Sequence, residues 1–119
     1  MYTQIILRRG AASPIRGVKK DDKVAAYQVA ATYITRLSKP RHWKHEGQQI
    51  RLYYDFHLKR QADADNLLKA LNDAIANGLG IDDKAFLPCV RSKKVDGAEK
   101  EPRVVVEIDD GEDSPVRLP

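Results

Sequence analysis

An abrupt change of hydrophobic period after residue 60 constrains the fold of this chain more than any other feature. Gln48 to Arg60 alternates apolar and polar side chains, which predicts a long strand with one face on a core. From Asp65 onward, apolar residues recur three and four positions apart, until stop signals at Gly78 and Gly80. The pattern therefore predicts a half-buried strand followed closely by an amphipathic helix over residues 65–77.

The remaining elements are shorter and complete a single domain. Residues 3–9 predict a first strand, and Asp21-Asp22 opens a helix whose pattern ends at Pro40. Two further strands are predicted over 86–95 and 103–108, turning around Asp96-Gly97. The order β-α-β-α-β-β indicates an α+β domain at 1–108, with two main helices and a mixed sheet of about four strands. The acidic residues 109–119 have the composition of a disordered tail.

The junction of the long strand and its helix carries an unusual set of charged residues. Asp63 and Asp65 lie two positions apart, so their side chains point the same way only if that segment is extended. Lys69 and Asp73 continue a polar stripe from Asp65 at intervals of four, and a tight turn then brings back the pair Asp82-Asp83. Carboxylate oxygens are hard ligands that suit Mg²⁺. The spacing thus predicts an extended Asp-x-Asp at the strand end, with the acids converging on a metal site.

A purely structural interpretation of these residues stands beside the catalytic one. Aspartates at a helix start are common caps, and an Asp65–Lys69 pair is an ordinary ion pair that contributes a few tenths of a kcal/mol. Asp82-Asp83 after a glycine is ordinary turn chemistry. Each feature alone is more often structural than catalytic, and only their combination favours a functional site.

The distribution of charge points to nucleic acid. The formal net charge is +4, but the last eleven residues contribute −3, so that residues 1 to 108 carry +7. Basic residues cluster before the first helix, around Trp43, and on the predicted strand after the Asp pair. Lysine and arginine bind phosphates without reading sequence. For a single residue, a solvated surface is the simpler interpretation.

Several other classes of protein are disfavoured. No apolar run approaches the roughly 20 residues that span a membrane, and the N-terminus lacks the layout of a signal peptide, so a cytoplasmic location is expected. Cys89 is the only cysteine, which excludes an internal disulfide. The three histidines have no zinc-site spacing. Trp43 is consistent with stacking on an exposed base or with anchoring the core or a dimer interface.

The combination of motifs resembles the RusA family of Holliday junction resolvases over roughly residues 58–95. That family's signature is Asp-x-Asp-Asn, a lysine four residues after the second Asp, and an Asp-Asp pair beyond the helix. The resemblance implies a homodimeric, Mg²⁺-dependent endodeoxyribonuclease that makes paired symmetric nicks in four-way DNA junctions during recombination and repair.

By the same resemblance, site roles carry over to matching positions. The catalytic residues would be Asp63, Asp65, Lys69 and Asp83, and the three aspartates would bind the metal. Asn66 and Asp82 would assist, Asn66 by orienting an acidic ligand through a hydrogen bond. The predicted nucleic-acid contacts are Arg8, Arg9, Arg16, Lys19, Lys20, Arg91, Lys93 and Lys94.

One departure from the family keeps the substrate open, and a second bears on the position of Asp83. The family's Pro-Pro-Ser-x-Asn-Arg type of segment is replaced here by residues 8–17, which contain no Asn, and the connection from helix to Asp pair is a residue shorter. A nuclease acting on other branched DNA or on RNA, and a non-catalytic nucleic-acid-binding module, are the alternatives. If the chain is such a binding module, it should bind nucleic acid whether or not Mg²⁺ is present.

Overall fold

The computed structural model describes residues 1–8 and 23–112, apart from the side chains of residues 23, 62 and 63. In chain order the elements are β1 (Tyr2–Arg8), α1 (Lys23–Ser38), β2 (Ile50–Leu58), α2 (Gln61–Leu79), a 3₁₀ turn (Asp83–Ala85), β3 (Phe86–Val95) and β4 (Arg103–Asp109). The predicted α+β class and its β-α-β-α-β-β order are confirmed. None of the helices in these ranges is long and apolar enough to cross a membrane.

The four strands form one mixed sheet in the order β1-β4-β2-β3. β4 pairs antiparallel with both β1 and β2, whereas β3 runs parallel to β2 and α2 provides the crossover between them. The chain does turn after β3, where the backbone N–H of Glu99 donates to Asp96 O at 3.0 Å. The two strands joined by this turn nevertheless flank β2 on opposite sides and do not pair with each other.

Both helices cover one face of the sheet. Alternate residues of β2 are buried there, which confirms the predicted alternation, and they meet the apolar stripe of α2. The largest fully buried side chains include Ile50, Leu52, Tyr54, Phe56, Leu67, Leu71, Ile75, Val104 and Val106. The other sheet face carries half-buried Arg51, Tyr53, Asp55 and His57 of β2. The sheet is thus packed on one side and open on the other among the described residues.

The start of α2 corrects the sequence prediction. The helix begins at Gln61, not at residue 65, so Asp63 and Asp65 lie in its first turns and not on an extended strand end. At 3.6 residues per turn, side chains two positions apart diverge by about 200°. The cause is packing: Ala64 is buried in the core, so the helical apolar face already begins before Asp65.

The end of α2 also differs from the prediction. Gly80, with φ of 74°, is the left-handed C-cap, and its N–H donates to the carbonyls of Ala76 and Asn77. Gly78 is not a stop signal but lies inside the helix, where a Cβ would come within 2.7 Å of Thr32 O. This glycine therefore permits a close crossing of α1 and α2.

Polar contacts from both neighbours fix the rotation of α2. From α1, Gln28 Nε2 donates to Ala70 O at 3.3 Å and Thr32 Oγ1 donates to Ala74 O at 3.1 Å. From β2, the buried Tyr54 hydroxyl donates to Asn72 Oδ1 at 2.5 Å, and burial raises the pKa of this phenol so that it stays a donor. The opposite side of α2 is consequently held toward solvent.

The predicted domain boundary at residue 108 falls inside the fold. Asp109 is the last residue of β4, and Asp110 is buried against the ammonium of Met1, whose nitrogen lies 2.5 Å from Asp110 Oδ1. Trp43 Nε1 donates to Asp110 Oδ2 at 2.6 Å, and the Trp43 ring packs against the core. Trp43 is therefore an anchor of the fold. Residues 113–119 of the predicted tail lie outside the described residues.

Candidate functional site

The solvent-facing side of α2 is a polar stripe. Its exposed members are Asp65, Asn66, Lys69, Asp73 and Asn77. Residues four positions apart on a helix are neighbours, so Lys69 lies between Asp65 and Asp73 along the stripe, as predicted. The stripe is therefore exposed to a large ligand that approaches the surface.

The chain returns to the stripe at the 3₁₀ turn. Asp82 caps this turn by accepting from the backbone N–H of Lys84 at 2.9 Å, and this hydrogen bond lowers the pKa of the Asp82 carboxyl. Asp83 shows the opposite shift. A hydrogen bond with Asp82, followed by burial and the negative charges of Asp82 and Asp73, raises its pKa. Asp83 thus stands beside two other carboxylates, of which Asp73 belongs to α2.

Asp73 was not among the predicted site residues. The sequence signal for it was its place four residues after Lys69, on the same stripe. What the sequence did not reveal is that the tight turn after α2 sets Asp83 against Asp73. The acidic end of the site is therefore Asp73, Asp82 and Asp83.

Asp65 lies at the other end of the stripe. Eight residues of helix separate Asp65 from Asp73, a rise of about 12 Å at 1.5 Å per residue. Among the residues whose side chains are described, no three His, Cys, Asp or Glu side chains form a preassembled metal site. The side chain of Asp63 is not among them, and the ligand set Asp63, Asp65 and Asp83 stays a prediction.

The edge strand β3 supplies a lysine to the Asp65 end. Lys93 Nζ lies 3.7 Å from Asp65 Oδ1. Lys93 pairs in register with Phe56, whose side chain is in the core beneath the helices, whereas Lys94 pairs with His57 on the open face. Of these two adjacent lysines, only Lys93 is on the side of α2.

Arg91, a third predicted DNA contact on β3, is held on the open face. Its guanidinium donates to Glu107 Oε2 at 2.7 Å and to Asp55 Oδ2 at 2.6 Å, and it lies 5.2 Å from the ring centroid of Tyr53. The hydrogen bonds that Arg91 donates to Glu107 and Asp55 raise its pKa. Two carboxylates thus offset its charge, which makes it a poorer phosphate ligand than an unpaired cation.

Of the other predicted basic residues, only Arg8 lies within the described ranges. Arg8 is exposed at the end of β1. Arg9, Arg16, Lys19 and Lys20 lie outside the described residues. Their assignment as nucleic-acid contacts stays a prediction.

A groove of about 360 Å³ lies between the helices at the acidic end of the stripe. It is lined by Gln28, Val29, Thr32, Tyr33, Arg36, Asp73, Ala74 and Asn77. Arg36 is the only basic residue among them. A ligand bound at Asp73 would therefore also meet amide, aromatic and guanidinium groups from α1 and α2.

Comparison with known proteins places these features in one family. The model of the family described as endodeoxyribonuclease RusA matches residues 11–109 of the chain. The match includes the whole of α2, the 3₁₀ turn and both strands that follow. No curated protein and no solved structure matches the chain.

Proposed function

We propose that this chain, which belongs to the RusA family of endodeoxyribonucleases, resolves four-way DNA junctions by paired symmetric nicks with Mg²⁺ as cofactor. The observation that carries the proposal is the family match across 11–109, together with the exposed Asp65–Lys69–Asp73 stripe that Asp83 adjoins. The charge of +7 over residues 1 to 108 supports a nucleic-acid substrate.

The site offers the carboxylate oxygens that a divalent cation prefers, although no three of the described acidic side chains form a preassembled group of ligands. Asp73, Asp82 and Asp83 are exposed, and hydrogen bonding to Asp82, together with the charges of Asp82 and Asp73, raises the pKa of Asp83. Crowded carboxylates of this kind are relieved by a hard cation such as Mg²⁺. By family resemblance, Asp63, Asp65 and Asp83 would hold the cation, and Asp73 adds a carboxylate beside Asp83. Because Asp65 lies at the opposite end of the α2 stripe from Asp73 and Asp83, these carboxylates would have to approach one another when the cation binds. Bound Mg²⁺ would polarise the phosphate and lower the pKa of a coordinated water.

The chain's own residues supply positioning and positive charge. Lys69 projects from the same face of α2 as Asp65 and Asp73, so its ammonium is placed to stabilise negative charge that develops on the attacked phosphate. Asn66 is exposed next to Asp65, where its amide would orient an acidic ligand. Because Tyr54 and Thr32 fix the rotation of α2, these groups are presented together.

A symmetric dimer would match the approximate two-fold symmetry of a four-way junction, with one site for each cut strand. This part of the proposal rests on the family alone. It predicts two protein chains per junction in sedimentation or native mass measurements.

The first test is cleavage of a labelled four-way junction beside a linear duplex of the same sequence, with and without Mg²⁺. Wild type should cut the junction symmetrically. Asp65→Asn and Asp83→Asn should each slow cutting by more than about 100-fold, because a direct ligand matters at least as much as the residues that orient ligands. Asp96→Asn, in the turn after β3, is the matched control and should cut normally.

Other outcomes decide between the rival functions. Faster cutting of forks, flaps or RNA than of the junction would assign a different branched substrate. Binding of the junction without cutting in Mg²⁺ or Mn²⁺, unaltered by Asp83→Asn, would contradict the enzymatic proposal.

A further inference from the structure

We infer that Lys93 contacts the phosphate that is cut, and that the cut strand crosses the helix side of the β3 edge. The inference rests on the proposed function and specifies where the substrate lies on this surface. Lys93 is the only β3 lysine or arginine with a described contact to the α2 stripe, through Asp65.

A β-bulge gives Lys93 this position. The register between β2 and β3 shifts between Tyr54 and Asp55, so that Tyr54 pairs with Val90 but Asp55 pairs with Ser92. Arg91 is therefore the extra residue, and both Arg91 and Ser92 bond to Asp55 on the open face. Regular alternation from Val90 would place Lys94 on the helix side, and the bulge places Lys93 there instead. Bulges often redirect a side chain beside an active site in this way.

The contact between Lys93 and Asp65 leaves the lysine available to a substrate. At 3.7 Å the pair is longer than a hydrogen bond, and the Asp65 side chain is 69% exposed. An exposed ion pair of this kind contributes little to stability. A phosphate oxygen next to Asp65 can therefore accept hydrogen bonds from the Lys93 ammonium at small cost, and such charge-assisted bonds are short and strong.

Position also separates Lys93 from the other cations of β3. Arg91 is engaged by two carboxylates, and Lys94 is on the open face with His57. Lys69 lies one helical turn after Asp65 on the exposed stripe of α2, whereas Lys93 contacts Asp65 from the sheet edge. A phosphate placed at Asp65 would therefore have one lysine on the same helix face and another at the sheet edge.

The first experiment measures single-turnover cutting of the junction in Mg²⁺ at saturating protein. Lys93→Gln should lower the rate by roughly 100-fold, the usual effect of losing one donor to a developing negative charge. Lys93→Arg should recover part of that loss. Lys100→Gln, an exposed lysine in the connection between β3 and β4, should leave the rate unchanged, and melting temperatures should show that all variants are folded.

The second experiment locates the contact at one phosphate. Affinity is measured for junctions with a charged phosphate or a neutral methylphosphonate at the cut position, with Ca²⁺ in place of Mg²⁺ after a check that no product forms. Neutralising that phosphate should cost wild type about tenfold in affinity, the value of one hydrogen bond to a charged group. It should cost Lys93→Gln several-fold less than wild type, since the Lys93 bond is already lost while Lys69 and the cation still meet the phosphate charge, whereas Lys94→Gln should lose as much as wild type.

The outcomes distinguish this inference from the proposed function. If wild type cuts the junction but Lys93→Gln shows the full methylphosphonate penalty, or cuts normally, Lys93 does not contact the cut phosphate and the proposed function stands. If wild type cuts no branched DNA under any divalent ion, the proposed function fails and this inference falls with it.

Discussion

At the scale of single residues, the two adjacent aspartates of the 3₁₀ turn have opposite electrostatic environments. Asp82 accepts a backbone hydrogen bond, which lowers its pKa, whereas Asp83 meets Asp82 and Asp73, which raise its pKa. A metal ligand has to be ionised. Asp83 therefore becomes fully available to a cation only at a higher pH than an isolated aspartate would.

Replacing Asp82 should shift the titration of Asp83. In Asp82→Asn the main cause of the raised pKa is removed, while the asparagine oxygen can still accept from Lys84 N–H. The Asp83 carboxyl should then titrate at a lower pH, and the acidic limb of Mg²⁺-dependent cutting should move to lower pH with it. Carboxyl NMR titration of the metal-free protein measures the first effect. Asp96→Asn is the control and should leave the titration midpoint of the Asp83 carboxyl unchanged. If Asp82→Asn also left this midpoint unchanged, Asp82 would not be the cause of the raised pKa of Asp83.

At the scale of elements, the crossing of α1 over α2 determines which face of α2 reaches solvent. Gly78 makes this close approach possible, because a Cβ there would lie 2.7 Å from Thr32 O and 2.8 Å from Thr35 Cβ. The same helix carries Asp65, Lys69 and Asp73 on its other side. Packing at Gly78 is therefore coupled to the geometry of the site.

Gly78→Ala should destabilise the fold even though alanine favours a helix by about 1 kcal/mol over glycine. Forcing a methyl group into this contact requires backbone displacement, and overpacking of this kind costs about 1–3 kcal/mol. Two contacts under 3.0 Å place the cost in the upper part of that range, so after the helix-propensity gain we expect a net loss of up to about 2 kcal/mol in the free energy of unfolding, measured by urea denaturation. Gly97→Ala is the control, since a Cβ there meets nothing within 4 Å. Equal stability of the two variants would show that α1 and α2 are not so closely packed.

At the scale of the whole molecule, the two ends of the described chain meet in one buried charge pair. The side chains of Asp110 and Met1 are each 1% exposed, and the Met1 ammonium is buried against the Asp110 carboxylate. Although burial raises the pKa of Asp110, hydrogen bonds from the ammonium, from Trp43 and from Glu112 N–H hold it below its ordinary value. This contact joins the start of β1, the end of β4 and the loop before β2.

Asp110→Asn should lower the free energy of unfolding by about 3–5 kcal/mol near neutral pH, because it leaves a buried ammonium without its counter-charge. Glu112→Gln keeps the backbone contacts and should have little effect. Since the folded pKa of Asp110 is depressed, its stabilisation is present above the ordinary aspartate pKa and is lost as pH falls through the folded value. The difference in stability between wild type and Asp110→Asn should therefore shrink as the solution becomes acidic. A constant difference down to pH 2 would contradict the ion pair.

The local pattern of the chain was sufficient for the number, order and type of its elements. Alternation along β2 and the three-and-four spacing of α2 report burial directly, because each period matches the geometry of its element. The exposed stripe of Asp65, Lys69 and Asp73 follows from the same spacing. The family signature consists of particular residue types at fixed spacing, so it is also visible in the sequence, and the match over 11–109 agrees with it.

Only the tertiary structure decided the features that depend on pairing between distant segments of the chain. The helix start at Gln61 followed from burial of Ala64, and the place of β3 beside β2 followed from the α2 crossover, since neither is encoded in a local period. The contact of Asp83 with Asp73 and the bulge that turns Lys93 toward Asp65 likewise depend on register between distant segments. The sequence by itself thus determined which residues are available for chemistry. The packing of α2 against α1 and the sheet decided which of these residues meet. The reason is that spacing along a chain fixes the direction of side chains within an element but does not fix the contacts between elements.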